Sequence, residues 1–242
     1  MKLLTNAATI TVISSGKSYH TLRDWGLAIG NNNYIKEPVQ ETLYVDVPGM
    51  NGFLDMSEVI AGHPVYKYRM LELQVGSLNR RMFWDAMISN IRNAIDGKVV
   101  KIIFDNDLGN YWTGRVTISG FDRVRELGTF IIQIKAEPYK IECFSSLEDW
   151  EWDSFNFETG VIREYKELVV DSELILSIPG NRKEVIPSFI CSAPMELQFD
   201  GVTYQLPEGA SRVLNVELTE GENILTFVGN GIVSVDYRGG SL

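Results

Sequence analysis

Short runs of β-branched and aromatic residues, separated by Gly, Asn, Asp and Pro, recur along almost all of this 242-residue chain. Such side chains fit a pleated, half-buried surface and the intervening residues suit turns, so the pattern is typical of antiparallel β proteins. The runs cover residues 9–13, 42–47, 65–75, 99–104, 129–136, 167–178, 195–199, 223–228 and 232–237. The sequence therefore predicts a mostly β fold, with an all-β sandwich in its second half.

One segment has a helical period instead. Its apolar residues recur at i, i+3, i+4, i+7 and i+11, namely at Trp84, Met87, Ile88, Ile91 and Ile95. This spacing places them on one face of an amphipathic helix, which we predict over residues 79–96. Ser77 or Asn79 is the predicted N-cap, and Gly97 is predicted to adopt the left-handed conformation after the last turn. Because the apolar face must pack on a sheet, the first half is predicted to be α+β with a single helix.

A domain boundary is predicted near Pro138, where a proline ends a strand and the composition changes. Residues 147–160, just beyond it, mix five acids with tryptophan and phenylalanine. We therefore predict an N-terminal β domain over residues 1–138 and a C-terminal β-sandwich over residues 139–242, a normal size for that architecture.

The charge balance argues against several classes of function. The chain has 22 basic and 32 acidic residues, a net charge of -10, so its average surface repels nucleic acid and anionic lipid. The only dense basic clusters along the sequence are residues 79–81 and 182–183. No apolar stretch reaches about 18 residues, and the first apolar run is too short for a signal peptide. We predict no direct nucleic-acid binding, no membrane insertion and no export signal.

Few residues are candidates for catalysis or for binding a metal or a cofactor. The two histidines, His20 and His63, lie in no catalytic motif, and the two cysteines, Cys143 and Cys191, have no metal or redox spacing and are expected to be buried thiols. Residues 105–109 (DNDLG) resemble a calcium loop but lack its later ligands, which favours a hairpin turn. Residues 229–231 (GNG) are too short for a phosphate-binding loop and are predicted to separate two strands. We predict no catalytic, cofactor-binding or metal-binding residue, and hence no enzyme.

Aromatic residues are abundant, with 5 Trp, 10 Tyr and 11 Phe. Residues 148–153 (EDWEWD) combine carboxylates with tryptophans, as sugar sites do, but their alternation also fits a half-buried strand, which we favour. In the strand predicted over residues 65–75, one face carries Tyr66, Tyr68 and Met70. The other face carries Lys67, Arg69, Leu71 and Leu73. Since neither face is cleanly polar, we expect one of them to pack against a neighbouring subunit.

Several motifs rich in turn residues occur in a defined order along both predicted domains. In the first domain they are residues 24–27 (DWGL), 47–55 (VPGMNGFLD) and 136–140 (AEPYK). In the second they are residues 178–181 (IPGN), Pro187, 221–225 (GENIL), 229–231 (GNG) and 237–242 (YRGGSL). In order and spacing, these motifs resemble those of the distal tail proteins of siphophages and Gram-positive prophages, and the resemblance extends over nearly the whole chain.

This resemblance implies a structural protein of the virion tail, assembled in the host cytoplasm. Its N-terminal domain would form a homo-oligomeric ring, typically a hexamer, that binds the tail tube protein on one face and the tail-associated hub protein on the other. Its C-terminal domain would be galectin-like, would lie on the outer rim and would hold receptor-binding proteins. The alternative is a carbohydrate-binding β-sandwich module of a cell-surface or polysaccharide-targeting system, and a hydrolase using carboxylates ranks last.

Overall fold

The computed structural model describes residues 6–30, 34–77, 81–124, 127–148 and 164–242. The chain forms two compact units, an N-terminal unit (Met1–Asp107 and Tyr111–Pro138) and a C-terminal unit (Leu108–Asn110 and Tyr139–Leu242). Antiparallel strands dominate both units, which confirms the predicted mostly β fold.

The N-terminal unit is built on an antiparallel sheet with the strand order β2-β1-β8-β9-β10-β7-β3, in which β4 also pairs with β7. The Ile29 amide at the end of β3 donates to the Asn6 carbonyl, just before β1, at 3.0 Å, so the sheet curls back towards its other end. The strands are β1 (Ala8–Val12), β2 (Ser18–His20), β3 (Leu27–Ile29), β4 (Tyr34–Ile35), β5 (Tyr44–Val45), β6 (Leu54–Asp55), β7 (Arg69–Ser77), β8 (Val99–Phe104), β9 (Asp107–Val124) and β10 (Leu127–Ala136).

Strict alternation along the strands produces the core of this unit. In β7, Leu71, Leu73 and Val75 are fully buried while the residues between them are not. Neighbouring strands send Ile102 and Ile132 into the same cluster, where each fully buried side chain contributes about 1.5–3 kcal/mol. The inner face of the sheet is therefore a continuous apolar surface that needs a cover.

Helix α2 (Trp84–Ile95), preceded by a 3₁₀ turn (Arg81–Phe83), supplies part of that cover. Ile88, Ile91 and Ile95, predicted on its apolar face, all lie in the core cluster. The predicted N-cap Ser77 is wrong, because Ser77 is the last residue of β7 and its hydroxyl donates to Met87 Sδ at 3.4 Å.

The two ends of α2 differ from the capping predicted for them. Its N-cap residue is Phe83, which makes no side-chain cap, and Asn79 lies outside the described residues. At the other end Gly97 has the predicted positive φ, 72°. Its amide, however, donates to the Val116 carbonyl of β9, so this glycine turns the chain from helix into sheet.

A second helix, α1 (Thr21–Trp25), was not predicted, and its five residues are too few to show a period. His20 is its N-cap: the imidazole Nδ1 accepts from the Arg23 amide at 3.1 Å, and the His20 amide donates to the Asp24 carboxylate at 2.6 Å. That backbone hydrogen bond lowers the pKa of Asp24. Gly26, at φ 64°, ends the helix. The tryptophan motif of residues 24–27 is thus a helix terminus.

The C-terminal unit is a six-stranded antiparallel sheet, ordered β15-β14-β17-β13-β16, with β12 on the other side of β17. A small ladder of β11 with β18 completes it. The strands are β11 (Lys140–Glu142), β12 (Leu168–Gly180), β13 (Ser188–Cys191), β14 (Met195–Phe199), β15 (Val202–Leu206), β16 (Gly209–Arg212), β17 (Gly221–Asp236) and β18 (Gly240–Ser241).

The prediction of two strands separated by residues 229–231 is wrong, because β17 runs through them without a break. Its register with β12 is continuous over 13 residue pairs. On its other side, β17 pairs first with β14 and then with β13, and the glycines lie where these neighbours change. A Cβ on Gly231 would lie 2.8 Å from the Ser192 hydroxyl, which accepts from the Ile232 amide. The glycines therefore allow close approach of another segment rather than a turn.

One buried side-chain amide, Asn223, holds the end of the β12–β17 ladder, where Gly180 pairs with Gly221. Its side chain accepts from the Thr219 amide at 3.0 Å and donates to the carbonyls of Thr219 and Ile178 at 2.9 and 3.2 Å. Gly180 lies against this cluster, where a Cβ would overlap the Thr219 carbonyl oxygen. The IPGN and GENIL motifs thus meet in one tight corner.

No helix in the described ranges is long and apolar enough to cross a membrane.

We expect Ile91→Ala to lower the free energy of unfolding by about 2–5 kcal/mol, because it removes a fully buried side chain from the contact between α2 and the sheet. Urea denaturation followed by tryptophan fluorescence measures the change. Ser89→Ala, an exposed position of the same helix, is the control and should change it by less than about 0.5 kcal/mol. Equal losses in both variants would contradict this packing.

Gly180→Ala should destabilise the C-terminal unit by about 1–3 kcal/mol, since the added methyl meets backbone atoms that have no room to move. Thermal unfolding of the full chain is the measurement. Gly76→Ala is the matched control, because that glycine is also in a strand but has open space around its Cβ. A Gly180→Ala protein as stable as the control would show that the corner is looser than described.

Candidate interaction surface

Residues 36–68, which we call the arm, leave the sheet between β4 and β7. The Lys36 amide donates to the Met70 carbonyl at the base, and the pairs Glu41 to Val65 and Lys67 to Val39 continue the ladder outwards at 2.8 Å. Farther out, β5 pairs with β6. The strand predicted over residues 42–47 is therefore only two residues long, and the arm is a narrow two-stranded extension.

No residue of the arm is buried. Its large apolar side chains are instead exposed by 36% to 94% of their surface: Val39, Leu43, Tyr44, Val45, Val47, Met50, Phe53, Leu54, Val59 and Ile60. Apolar surface concentrated in this way marks a binding surface in a soluble protein, and a two-stranded hairpin is at best marginally stable alone in water. The arm has the composition of an element that is buried in an assembly.

Local contacts nevertheless give the arm a defined shape. The rings of Tyr44 and Phe53 pack edge to face, with centroids 4.4 Å apart. The Ser57 hydroxyl donates to the Asp55 carboxylate and accepts from the Leu43 amide at 2.9 Å, so it joins the two sides of the arm. The hydrogen bonds from the Ser57 hydroxyl and amide lower the pKa of Asp55. The arm is thus shaped before it meets a partner.

The VPGMNGFLD motif forms the tip of this arm. Gly49 and Gly52 have φ of 86° and 87°, conformations that side chains rarely adopt, and no other atom approaches their Cβ positions within 4 Å. The glycines are therefore needed for the turn and not for close packing. The same turn brings Tyr44 and Phe53 together.

The two histidines have local partners. Besides capping α1, His20 places its Nε2 3.1 Å from the Asp105 carboxylate, which holds β2 against the β8–β9 turn. His63 Nδ1 lies 3.3 Å from the Pro64 carbonyl within the arm. Both histidines therefore make contacts within the fold.

The other predicted sites have separate outcomes. Residues 105–109 form the β8–β9 hairpin, with Phe104 paired to Asp107, which confirms the turn. Of the acidic and aromatic stretch 148–153, all but Glu148 lies outside the described residues. Within the ranges described, no three His, Cys, Asp or Glu side chains are grouped as metal ligands.

Both cysteines are free thiols, but only Cys191 is buried, and its burial raises the pKa of that thiol. Cys143 is half-buried, so the expectation of two buried thiols is wrong for it. Cys143 precedes the segment where the composition changes, and its amide donates to the Gly109 carbonyl at 2.8 Å.

Arg69, at the start of β7, was expected on a mixed face and is in fact buried, with 4% of its surface exposed. Its guanidinium lies 4.5 Å from the centre of the Trp112 ring, and Nε and Nη2 have no hydrogen-bond partner among the described residues. Burial lowers the pKa of Arg69, an effect that the Glu37 carboxylate opposes. Tyr68, on the opposite face, is 52% exposed, so among the described residues that face is less well covered.

Sequence comparison gives no relative: no family model and no curated protein matches the chain. Structure comparison gives the crystal structure of the Dit protein (gp 19.1) of SPP1, described as a paradigm of the hub adsorption apparatus in phages that infect Gram-positive bacteria. The likeness covers 97% of this chain and 99% of Dit, with a TM-score of 0.57 and 12% identity. Over nearly its whole length, this chain has the fold of a siphophage distal tail protein, as its motifs predicted.

Proposed function

We propose that this chain is a structural protein of a phage tail that forms an oligomeric ring at its distal end, with hexamers the expected stoichiometry. The N-terminal domain, residues 1–138, forms the ring and joins the tail tube protein to the tail-associated hub protein. The C-terminal domain, residues 139–242, is galectin-like, lies on the rim and holds receptor-binding proteins. The protein works in the virion tail without catalysis.

The exposed arm is the observation that carries this proposal. A ring subunit needs surfaces that are buried only after assembly, and ten large apolar side chains within residues 39–60 are such a surface. If the arm were permanently exposed to water, each of these side chains would forgo the stabilisation that burial provides.

The fold supports the same conclusion, since the chain shares it with a hub protein over nearly its full length. The net charge of -10 is compatible with a ring that does not retain DNA. The carbohydrate-binding alternative depends on residues 148–153, and no contact in the described part of the chain favours it.

We expect the purified protein to form a species of about six times the 27.3 kDa mass of one chain. The double variant Val59→Ser/Ile60→Ser should weaken that species by about tenfold or more in dissociation constant, because it removes 66% and 94% exposed apolar side chains from the arm. Size-exclusion chromatography with light scattering, over a dilution series, measures both.

The matched control is Val202→Ser/Leu214→Ser, which removes apolar side chains of comparable exposure, 50% and 72%, from the C-terminal unit. It should assemble as the wild type does. A wild type that stays monomeric at every concentration would contradict the ring. Loss of assembly in the control alone would instead move the interface to the C-terminal unit.

A further inference from the structure

Three cations meet on the outer face of the N-terminal sheet, where adjacent strands β8, β9 and β10 carry Lys101, Arg115 and Lys135. Arg115 lies directly opposite Lys135 in the register of β9 with β10. Val99 pairs with Arg115, so Lys101 is one diagonal position away on the same face. These residues are far apart in the sequence and come together only through strand pairing.

Like charges placed directly opposite each other on two strands destabilise a sheet. None of the three cations makes an ion pair with an acid among the described residues. Lys135 Nζ lies 3.8 Å from the centre of the Tyr68 ring, Lys101 Nζ lies 3.9 Å from that of Tyr111, and Arg115 Nη1 donates to the Gly97 carbonyl at 2.5 Å. In a chain of net charge -10, this cluster is positive and has no counter-ion in the described part of the chain.

The cluster borders a groove of about 330 Å³, large enough to accept several side chains. Arg115, Lys135 and the half-exposed Tyr68 line it, with Val99 and Pro138 as apolar walls and Glu137 as its one acid. Its surface thus combines positive charge with apolar area, and its complement is a segment that combines carboxylates with apolar side chains.

The arm has that composition. Its acids are Glu37 at the base and Glu41, Asp46, Asp55 and Glu58 farther out, and no Lys or Arg occurs between residues 37 and 66. The Ser57 hydroxyl donates to the carboxylate of Asp55. Glu41, Asp46 and Glu58 are exposed and make no side-chain hydrogen bond or ion pair within the described residues. Exposed apolar side chains lie between them.

We infer that the acidic, apolar arm of one copy docks in the basic groove of the next copy, an inference that rests on the proposed ring. The carboxylates of Glu41, Asp46 and Glu58 supply the missing counter-ions of Lys101, Arg115 and Lys135. In the structure none of these acids pairs with the cations of its own chain, so the contact belongs between copies. Because the acidic part of the arm, residues 41–58, and the groove have no residue in common, the contact is head-to-tail, the type that closes a ring when the rotation allows it.

Charge reversal tests this contact. The groove variant is Arg115→Glu/Lys135→Glu and the arm variant is Asp46→Lys/Glu58→Lys; each alone should weaken assembly by at least about tenfold in dissociation constant. An equimolar mixture should restore rings of wild-type mass, because a basic arm then meets an acidic groove and a wild-type arm meets a wild-type groove. Both kinds of contact form only in rings in which the groove variant and the arm variant alternate.

Light scattering and negative-stain imaging read out each sample, and circular dichroism establishes that the variants are folded. The control Lys17→Glu/Lys166→Glu changes the net charge by the same amount as the groove variant, but at two exposed lysines outside the groove. It should assemble normally. Raising the salt concentration from about 0.05 to 0.5 M should also weaken wild-type assembly.

If the wild type assembles and both charge-reversal variants assemble equally well, the arm–groove contact is overturned while the ring stands. Weakened variants that the mixture does not restore would also overturn it, since they would show a loss unrelated to complementarity. A wild type without any ring would remove the proposed function and this contact together.

Discussion

The N-terminal unit depends on one constraint: the apolar inner face of its antiparallel sheet must be covered. Alternation along β7 sends Leu71, Leu73 and Val75 inward, and the neighbouring strands do the same. Two devices cover this face within the chain, the curl of the sheet towards Asn6 and the apolar stripe of α2. Because the curled sheet and α2 cover the inner face, the outer face and the arm are the surfaces left for contacts with other molecules.

The outer face and the arm differ in the way an interface requires. The core is apolar, whereas the outer face pairs lysines with tyrosine rings and the arm combines acids with exposed apolar side chains. Apolar contact provides most of the free energy of association, while the arrangement of charge determines which surfaces meet and in which orientation. In the proposed ring, such a division would direct one copy to recognise the next.

The sequence predicted well those features that local spacing determines. The strand over residues 99–104, the strand over residues 195–199 and the turn at residues 105–106 follow from patterns of six residues or fewer. It failed where tertiary contacts override a local signal. The GNG sequence has the composition of a turn, but β17 continues through it because the Ser192 segment crosses there.

The surfaces were the hardest to predict, for the same reason. Residues 79–81 and 182–183 stood out as basic because their charges are adjacent in the sequence, whereas Arg115 and Lys135 are 20 residues apart and meet through the β9–β10 register. The motif at the tip of the arm could be recognised, but only the structure shows that the whole segment around it contributes nothing to the core.

The position of β1 in the sheet has a consequence for how this chain reaches its native state. β1 lies between β2 and β8, and its pairing with β8 joins Ala8 to Phe104 and Val12 to Val100. The hairpins β8–β9 and β9–β10 form from neighbouring residues, but β1 must wait until nearly a hundred residues have left the ribosome. Because such distant pairings slow folding, we expect β1 to join last, leaving the edge of β8 unpaired during synthesis. Until then the newly made chain exposes both that edge and the apolar arm, so we expect it to be most prone to aggregation during synthesis.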